Sequence, residues 1–275
     1  MSVALAVHHG DFGRAALYRL DTPHITHAHR EGHLIFYLDG CRANVTVDGT
    51  TLPANETFGV AISPWEPHRF DLAEPGGGCI CLVLYIKPIW FLETSDLADH
   101  ALSFGRSEIV LTPQVARSVK LLTSLLLEED NPACFDKYLY ETTLNCFDQS
   151  WSGGGRSTPI TAAQDRFSDF RVRRSLRLMQ EKFSEDIEME TLARQAGLSR
   201  PHFFKLFKKQ MGITPNIYLN TLRSEQAIQD LMATDKSVTD ISYGLGFSSQ
   251  ASFTRFFTSN VGIPPSQYRR VAHMV

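Results

Sequence analysis

Cysteine is scarce in this sequence, and the few present are badly spaced for a framework. Five occur in 275 residues, with no CxxC pair among them. That argues against a disulfide scaffold and suits a chain kept reduced in the cytoplasm. Long apolar runs are missing too. No stretch of 18 apolar residues occurs, so no membrane span is expected. The opening MSVALAVHHGDFGR lacks a charged n-region and an apolar run long enough for a signal peptide. Nor is positive charge in excess. The 27 Lys/Arg are outnumbered by 30 Asp/Glu, a formal −3 and the wrong sign for a chain that holds phosphates along its whole length.

Dividing the chain changes the sign for one half. Residues 161–275 hold 16 Lys/Arg against 11 Asp/Glu, a net +5, while residues 1–160 hold 11 against 19, a net −8. With 43% apolar content, two domains with cores of their own are expected. The basic half is the one equipped for phosphate contact.

That half also writes one unit twice. LARQAGLSRPHFFKLFKKQMGITPNIY (Leu192 to Tyr218) is matched by ISYGLGFSSQASFTRFFTSNVGIPPSQY (Ile241 to Tyr268). Gly197, Leu198 and Ser199 align with Gly246, Phe247 and Ser248. After one inserted residue, Phe203, Lys205, Phe207, Gly212, Pro215 and Tyr218 align with Phe253, Arg255, Phe257, Gly262, Pro265 and Tyr268. A repeat of this length marks a duplicated structural unit. Each copy predicts a short helix ended by glycine, a serine N-cap at Ser199 or Ser248, and a second helix. The second helix buries Phe203, Leu206 and Phe207, or Phe253, Phe256 and Phe257. This is helix-turn-helix patterning, whose second helix enters the DNA major groove. The groove-facing candidates are Arg200, Pro201, His202, Phe204, Lys205 and Lys208, then Gln250, Ala251, Thr254 and Arg255.

Between the copies, Thr214 caps and Pro215 opens a helix expected to run to about Ala233. At ~1.5 Å per residue it spans roughly 28 Å, against ~34 Å between successive major grooves on one DNA face. Such a helix is a strut between two reading heads. Ser237 with Asp240 is a capping box restarting the second copy.

On LARQAGLS, LFKKQMGITPNIY, Arg223 with Ala227, and GFSSQASFTRFF followed by GIPPSQYRR, the last 100 or so residues resemble the AraC/XylS-type transcription regulators. The resemblance implies two helix-turn-helix subdomains on one DNA, control of transcription, and RNA polymerase as a partner. Phe204 departs from it, being apolar where the family's groove-facing residue is commonly polar.

Residues 1 to about 105 read as β. Short apolar runs (HLIFYL, ANVTV, CICLVLYI) alternate with turn compositions, as in a small barrel or sandwich. Within them His27 and His29 are expected on one side of a strand, with His33 and His68 following. This resembles the two cupin motifs, with His33 where cupin enzymes usually carry glutamate. Three readings of the histidines stay open. His27, His29 and His68 could hold Zn²⁺ or Fe²⁺; His27, His29, His33 and His68 could hydrogen-bond a small-molecule effector; or all could be structural. Residues 111–150 change to helical period, Val115, Val119, Leu122, Leu125 and Leu126 and then Phe135, Leu139 and Phe147. That hairpin is expected to form a homodimer seam. WSGGGRSTPITAAQD, residues 151–165, is a flexible linker.

The sequence thus predicts an α+β multidomain chain. Residues 1–150 form a cupin-like β-barrel with a helical hairpin, for effector binding and dimerisation. Residues 151–165 link it to an all-α, double helix-turn-helix domain over 166–275. The expected function is a cytoplasmic regulator, an activator, binding double-stranded DNA under control of a small-molecule effector. It is not read as an enzyme and needs no cofactor for that task. The competing reading is a cupin metal-binding protein or metalloenzyme with an accessory DNA-binding domain.

Overall fold

The structure, a computed structural model, describes residues 2–74, 76–94, 102–128, 132–152, 169–185 and 187–272. The chain divides into two compact units, Met1–Thr158 with Arg270–Val275, and Pro159–Arg269. Of the expected linker only Trp151 and Ser152 are among the described residues, and Trp151 still belongs to a helix.

Among its described residues the first unit has nine strands: β1 (Val3–Gly10), β2 (Gly13–Leu20), β3 (Gly32–Gly40), β4 (Ala43–Val47), β5 (Thr50–Ala54), β6 (Phe58–Ile62), β7 (His68–Leu72), β8 (Cys79–Ile86) and β9 (Glu108–Val110). HLIFYL, ANVTV and CICLVLYI are the apolar runs of β3, β4 and β8. Six strands form one sheet in the order β1-β2-β8-β3-β6-β9, and three form another in the order β5-β4-β7. Every pairing is antiparallel.

Strand β8 decides what each face of the large sheet does. Its side chains alternate, so Leu82, Leu84 and Ile86 point one way and Cys81, Val83 and Tyr85 the other. The first set joins Phe12, Leu34 and Phe36 in the main apolar core. The second set lines a cavity. In register, Tyr85 pairs with Arg14 of β2 on one side and with His33 of β3 on the other.

Helix α1 (Pro88–Thr94) interrupts the stretch read as β, and helices α2 (Pro113–Glu128) and α3 (Pro132–Trp151) follow. Val115, Val119, Leu122 and Leu126 of α2 and Phe135, Leu139 and Phe147 of α3 are buried in the same core. At ~1.5–3 kcal/mol for each such side chain, this packing holds the hairpin on the large sheet. The apolar stripe expected as a dimer seam is therefore covered by the chain's own strands, while Leu127 beside it is 55% exposed.

Every regular element among the described residues of the second unit is a helix: α4 (Phe170–Lys182), α5 (Met189–Gln195), α6 (Arg200–Met211), α7 (Pro215–Ala233), α8 (Val238–Gly244), α9 (Gln250–Val261) and the start of α10 (Pro265–Ala272). Asp169 opens α4 by accepting from the Arg171 backbone N–H at 2.9 Å, and it pairs with the Arg171 guanidinium at 2.7 Å. Val172, Leu176 and Met179 face inward as their spacing predicts.

Candidate functional site

Each helix-turn-helix copy turns at a glycine and ends its second helix at another, but only the second copy has side-chain N-cap hydrogen bonds. Helix α5 ends at Ala196, and Gly197 follows with φ +71°. Ser199 then precedes α6, and Gly212 closes that helix in the left-handed conformation. In the second copy the Ser237–Asp240 capping box starts α8, and Gly246 turns with φ +78°. The N-cap of α9 is Ser249, not Ser248: its hydroxyl accepts from the Ser252 N–H at 3.2 Å. The inserted residue of the repeat lies in this turn, so the cap moves one position along. Phe203, Phe207, Phe253 and Phe257 are fully buried, whereas Leu206 and Phe256 are only half-buried. Phe256 sits 4.8 Å from the Phe247 ring, at the margin of the core.

The 19-residue helix α7 spans the stretch expected of the strut. Thr214 caps it by accepting from the Ile217 N–H. Arg223, midway along it, reaches back to the segment after α4. Its Nε donates to the Phe183 carbonyl and its Nη2 to the Glu185 carbonyl, both at 2.8 Å, and the guanidinium lies 5.4 Å from the Phe247 ring centroid. The same segment presses on the second turn, where a Cβ at Gly246 would stand 2.5 Å from the Ser184 carbonyl oxygen. The end of α4, the strut and the turn before α9 are thus fastened together.

Opposite the buried phenylalanines, α6 exposes Arg200, Pro201, His202, Lys205 and Lys208, and α9 exposes Gln250, Ala251 and Arg255, with Thr254 half-buried. The two sets do not present the same chemistry. Phe204 is half-buried, edge-on to Phe203 at 6.0 Å, with the Arg200 guanidinium 5.6 Å from its ring. Thr239 of α8 donates its hydroxyl hydrogen to Gln250 Oε1 at 2.7 Å, which leaves the Gln250 amide N–H groups as the donors on that face.

In the first unit the four candidate histidines do converge. His27 and His29 lie in an extended loop, not the regular strand expected, tied down by one antiparallel bridge between His27 and His68. Two backbone bonds of 3.0 and 2.9 Å make that bridge. Ring centroids are 4.3 Å apart for His27–His68, 4.5 Å for His33–His68, 4.9 Å for His27–His29 and 5.2 Å for His29–His33. Nδ1 of His27 lies 2.7 Å from the Ile25 carbonyl oxygen, and Nδ1 of His68 lies 2.8 Å from that of Glu66. A carbonyl only accepts, so both Nδ1 atoms carry the proton and Nε2 holds the lone pair.

Burial keeps all four rings neutral. Loss of solvent holds His29 and His68 well below the ordinary imidazole range, with neighbouring histidines adding to the effect. His33 is pushed down to about 3 by burial, then by His27 and Arg14. His27 is lowered by burial and partly restored by the Ile25 carbonyl. Two further residues belong here that the sequence pattern did not single out. His24 lines the same cavity and is driven to about 3 by burial and by His27. Tyr85 lies 5.2–5.3 Å from the His29 and His33 rings, under the Arg14 guanidinium at 3.8 Å. Tyr85 could have been found from the alternation of CICLVLYI, which puts it on the face of Cys81 and Val83; nothing local marked His24.

A helix-turn-helix domain family matches residues 192–271, the span from the start of the first copy past the end of the second. Residues 192–271 are an AraC-type helix-turn-helix domain. An uncharacterized HTH-type transcriptional regulator of Staphylococcus aureus (strain COL) is 37% identical over 106 residues, covering 38% of this chain. The matched stretch spans only 14% of that relative's length. The lactose operon transcription activator of Staphylococcus xylosus is 24% identical over 179 residues, 65% of this chain and 62% of that one. Among solved structures, ToxT from Vibrio cholerae shares the fold with TM-score 0.56 at 13% identity, over 95% of this chain and 98% of that one. The AraC-type domain therefore sits in an architecture with a sheet-rich N-terminal unit and a helical C-terminal one. No described helix is long and apolar enough to cross a membrane.

Proposed function

We propose that this protein is a sequence-specific DNA-binding transcription regulator, an activator that engages RNA polymerase. Residues 1–150 sense a small ligand, 151–165 link the units, and 166–275 read DNA through α6 and α9. The observation that carries the reading is the duplicated helix-turn-helix. It offers two exposed helix faces, with Arg200, Lys205 and Lys208 on one and Arg255 on the other, joined by one 19-residue strut. The difference between those faces supports an asymmetric operator. Arg255 suits a guanine, whose O6 and N7 it can grip together, while Phe204 can pack only on a thymine methyl. The name of the Staphylococcus xylosus relative, an operon activator, supports the direction of control.

Selection of bound sequences from a random DNA pool by the full chain tests this. Arg255→Ala should cost ~1–3 kcal/mol and relax preference at one base pair. Lys208→Ala should weaken all sequences alike and lower the salt slope by about one phosphate contact. Phe204→Ser should erase a preference for T in the first half-site. A pool that yields no common motif, or an Arg255→Ala protein with unchanged preference, overturns the reading.

A further inference from the structure

We propose that His27, His29 and His68 bind a divalent transition-metal ion, Zn²⁺ being the reference case, and leave one coordination position open toward His33 and Tyr85. The proposal concerns the first unit alone and does not depend on the DNA-binding reading.

Three observations carry it. One ring nitrogen from each of the three buried histidines lies within 4.8 Å of the others. Tetrahedral zinc with ~2.0–2.1 Å Zn–N bonds needs ligand nitrogens ~3.3 Å apart. Each ring therefore has to move inward by less than about 1 Å, a side-chain adjustment and not a refolding. Next, the Nδ1–H groups of His27 and His68 are already committed to the Ile25 and Glu66 carbonyls. That fixes the tautomer and the ring direction and leaves Nε2 as donor to the ion, the arrangement by which metal-binding imidazoles are oriented. Finally, there is room beside the rings. The cavity that His27, His33, His68 and Tyr85 help to line has a volume of about 30 Å³, enough for a water-sized ligand on the ion.

The donor set also sets what sits in the open position. Three neutral imidazoles leave the ion its full double charge, and the Arg14 guanidinium over Tyr85 adds another positive charge nearby. A hydroxide or a small anion satisfies both. The two residues that would be drawn together, His27 and His68, come from an otherwise irregular loop and from β7 of the small sheet. The ion would therefore clip that loop to the small sheet. Imidazole ligands suit zinc, nickel, copper and iron, and availability decides among them.

The test uses the full chain stripped with a chelator and reloaded with Zn²⁺ or Co²⁺. After gel filtration, elemental analysis should give one equivalent per chain, and Zn²⁺ should raise the melting temperature. X-ray absorption at the metal edge should show a shell with three imidazole nitrogens. His29→Gln and His68→Gln should each weaken binding by at least about 100-fold, while His8→Gln, elsewhere in the same unit, leaves it unchanged. Less than a tenth of an equivalent at saturating metal overturns the proposal, as does equal loading of the His27→Gln/His29→Gln/His68→Gln protein. Should these variants misfold, the absorption spectrum of the unsubstituted protein decides alone. A shell of oxygen only, or one containing sulfur, overturns the assignment.

Discussion

Arg223 reaches from the middle of α7 to two carbonyls beyond the end of α4 and lies over the Phe247 ring. Truncation removes both bonds at once, so Arg223→Ala should cost about 2 kcal/mol in the second unit, read from its urea midpoint. Arg223→Lys should recover little, because one ammonium cannot span two acceptors with fixed geometry. Full recovery by lysine would mean that the charge, not the fork, is what matters. The histidines of the first unit make a prediction of opposite kind. His9, His24 and His33 are held at about 3, against 6.5 for an exposed imidazole, chiefly by burial. The unfolded chain therefore binds more protons than the folded one between those values. The stabilisation is complete above pH 6.5 and is lost as pH falls toward 3. Each such group costs about 1.4 kcal/mol per pH unit in that window. In metal-stripped protein the urea midpoint of the first unit should fall steeply from pH 7 to pH 5. The second unit, where His202 is the one histidine among the described residues, should change far less. Equal slopes for the two units would contradict the burial of these rings.

The two turns test whether the copies are equivalent as elements. Gly197 and Gly246 both have positive φ, +71° and +78°, but only Gly246 is crowded, by the Ser184 carbonyl. Gly197→Ala should cost only the strain of the conformation, about 1 kcal/mol. Gly246→Ala adds a clash with backbone that Arg223 holds in place, and should cost clearly more and displace α9. Thermal melts of both variants, with DNA affinity alongside, make the comparison; equal losses would mean that the Ser184 segment yields. This asymmetry was not legible in the sequence, which aligned the two glycines as equals. Repeats, caps and strut could be read because they are local: Ser237–Asp240, Thr214–Pro215 and the paired phenylalanines signal within a few residues. Helix α1 and the Ser249 cap escaped, since one sits among strand-like neighbours and the other beside a second serine. The convergence of His27, His29, His33 and His68 was legible only as a suspicion. It depends on a bridge between segments forty residues apart, and no local pattern sets that. The α2 and α3 stripes read as a dimer seam also serve the large sheet's own core.

At the scale of the whole molecule, opposite charge and the two-unit division argue that the parts are separable. A fragment beginning at Asp169, which keeps both helix-turn-helix copies, should fold and bind the operator without the first unit. Circular dichroism and a salt-controlled binding titration decide it, and an unfolded or inert fragment would move the boundary. Within that fragment the strut has a consequence for the DNA itself. One extra base pair between half-sites carries the second half-site ~3.4 Å along the duplex and about 35° around it. A reader whose heads are bolted to one α7 by Arg223 cannot follow that rotation. The operator is then a word of fixed length and fixed helical phase, in which an insertion does more harm than a mismatch.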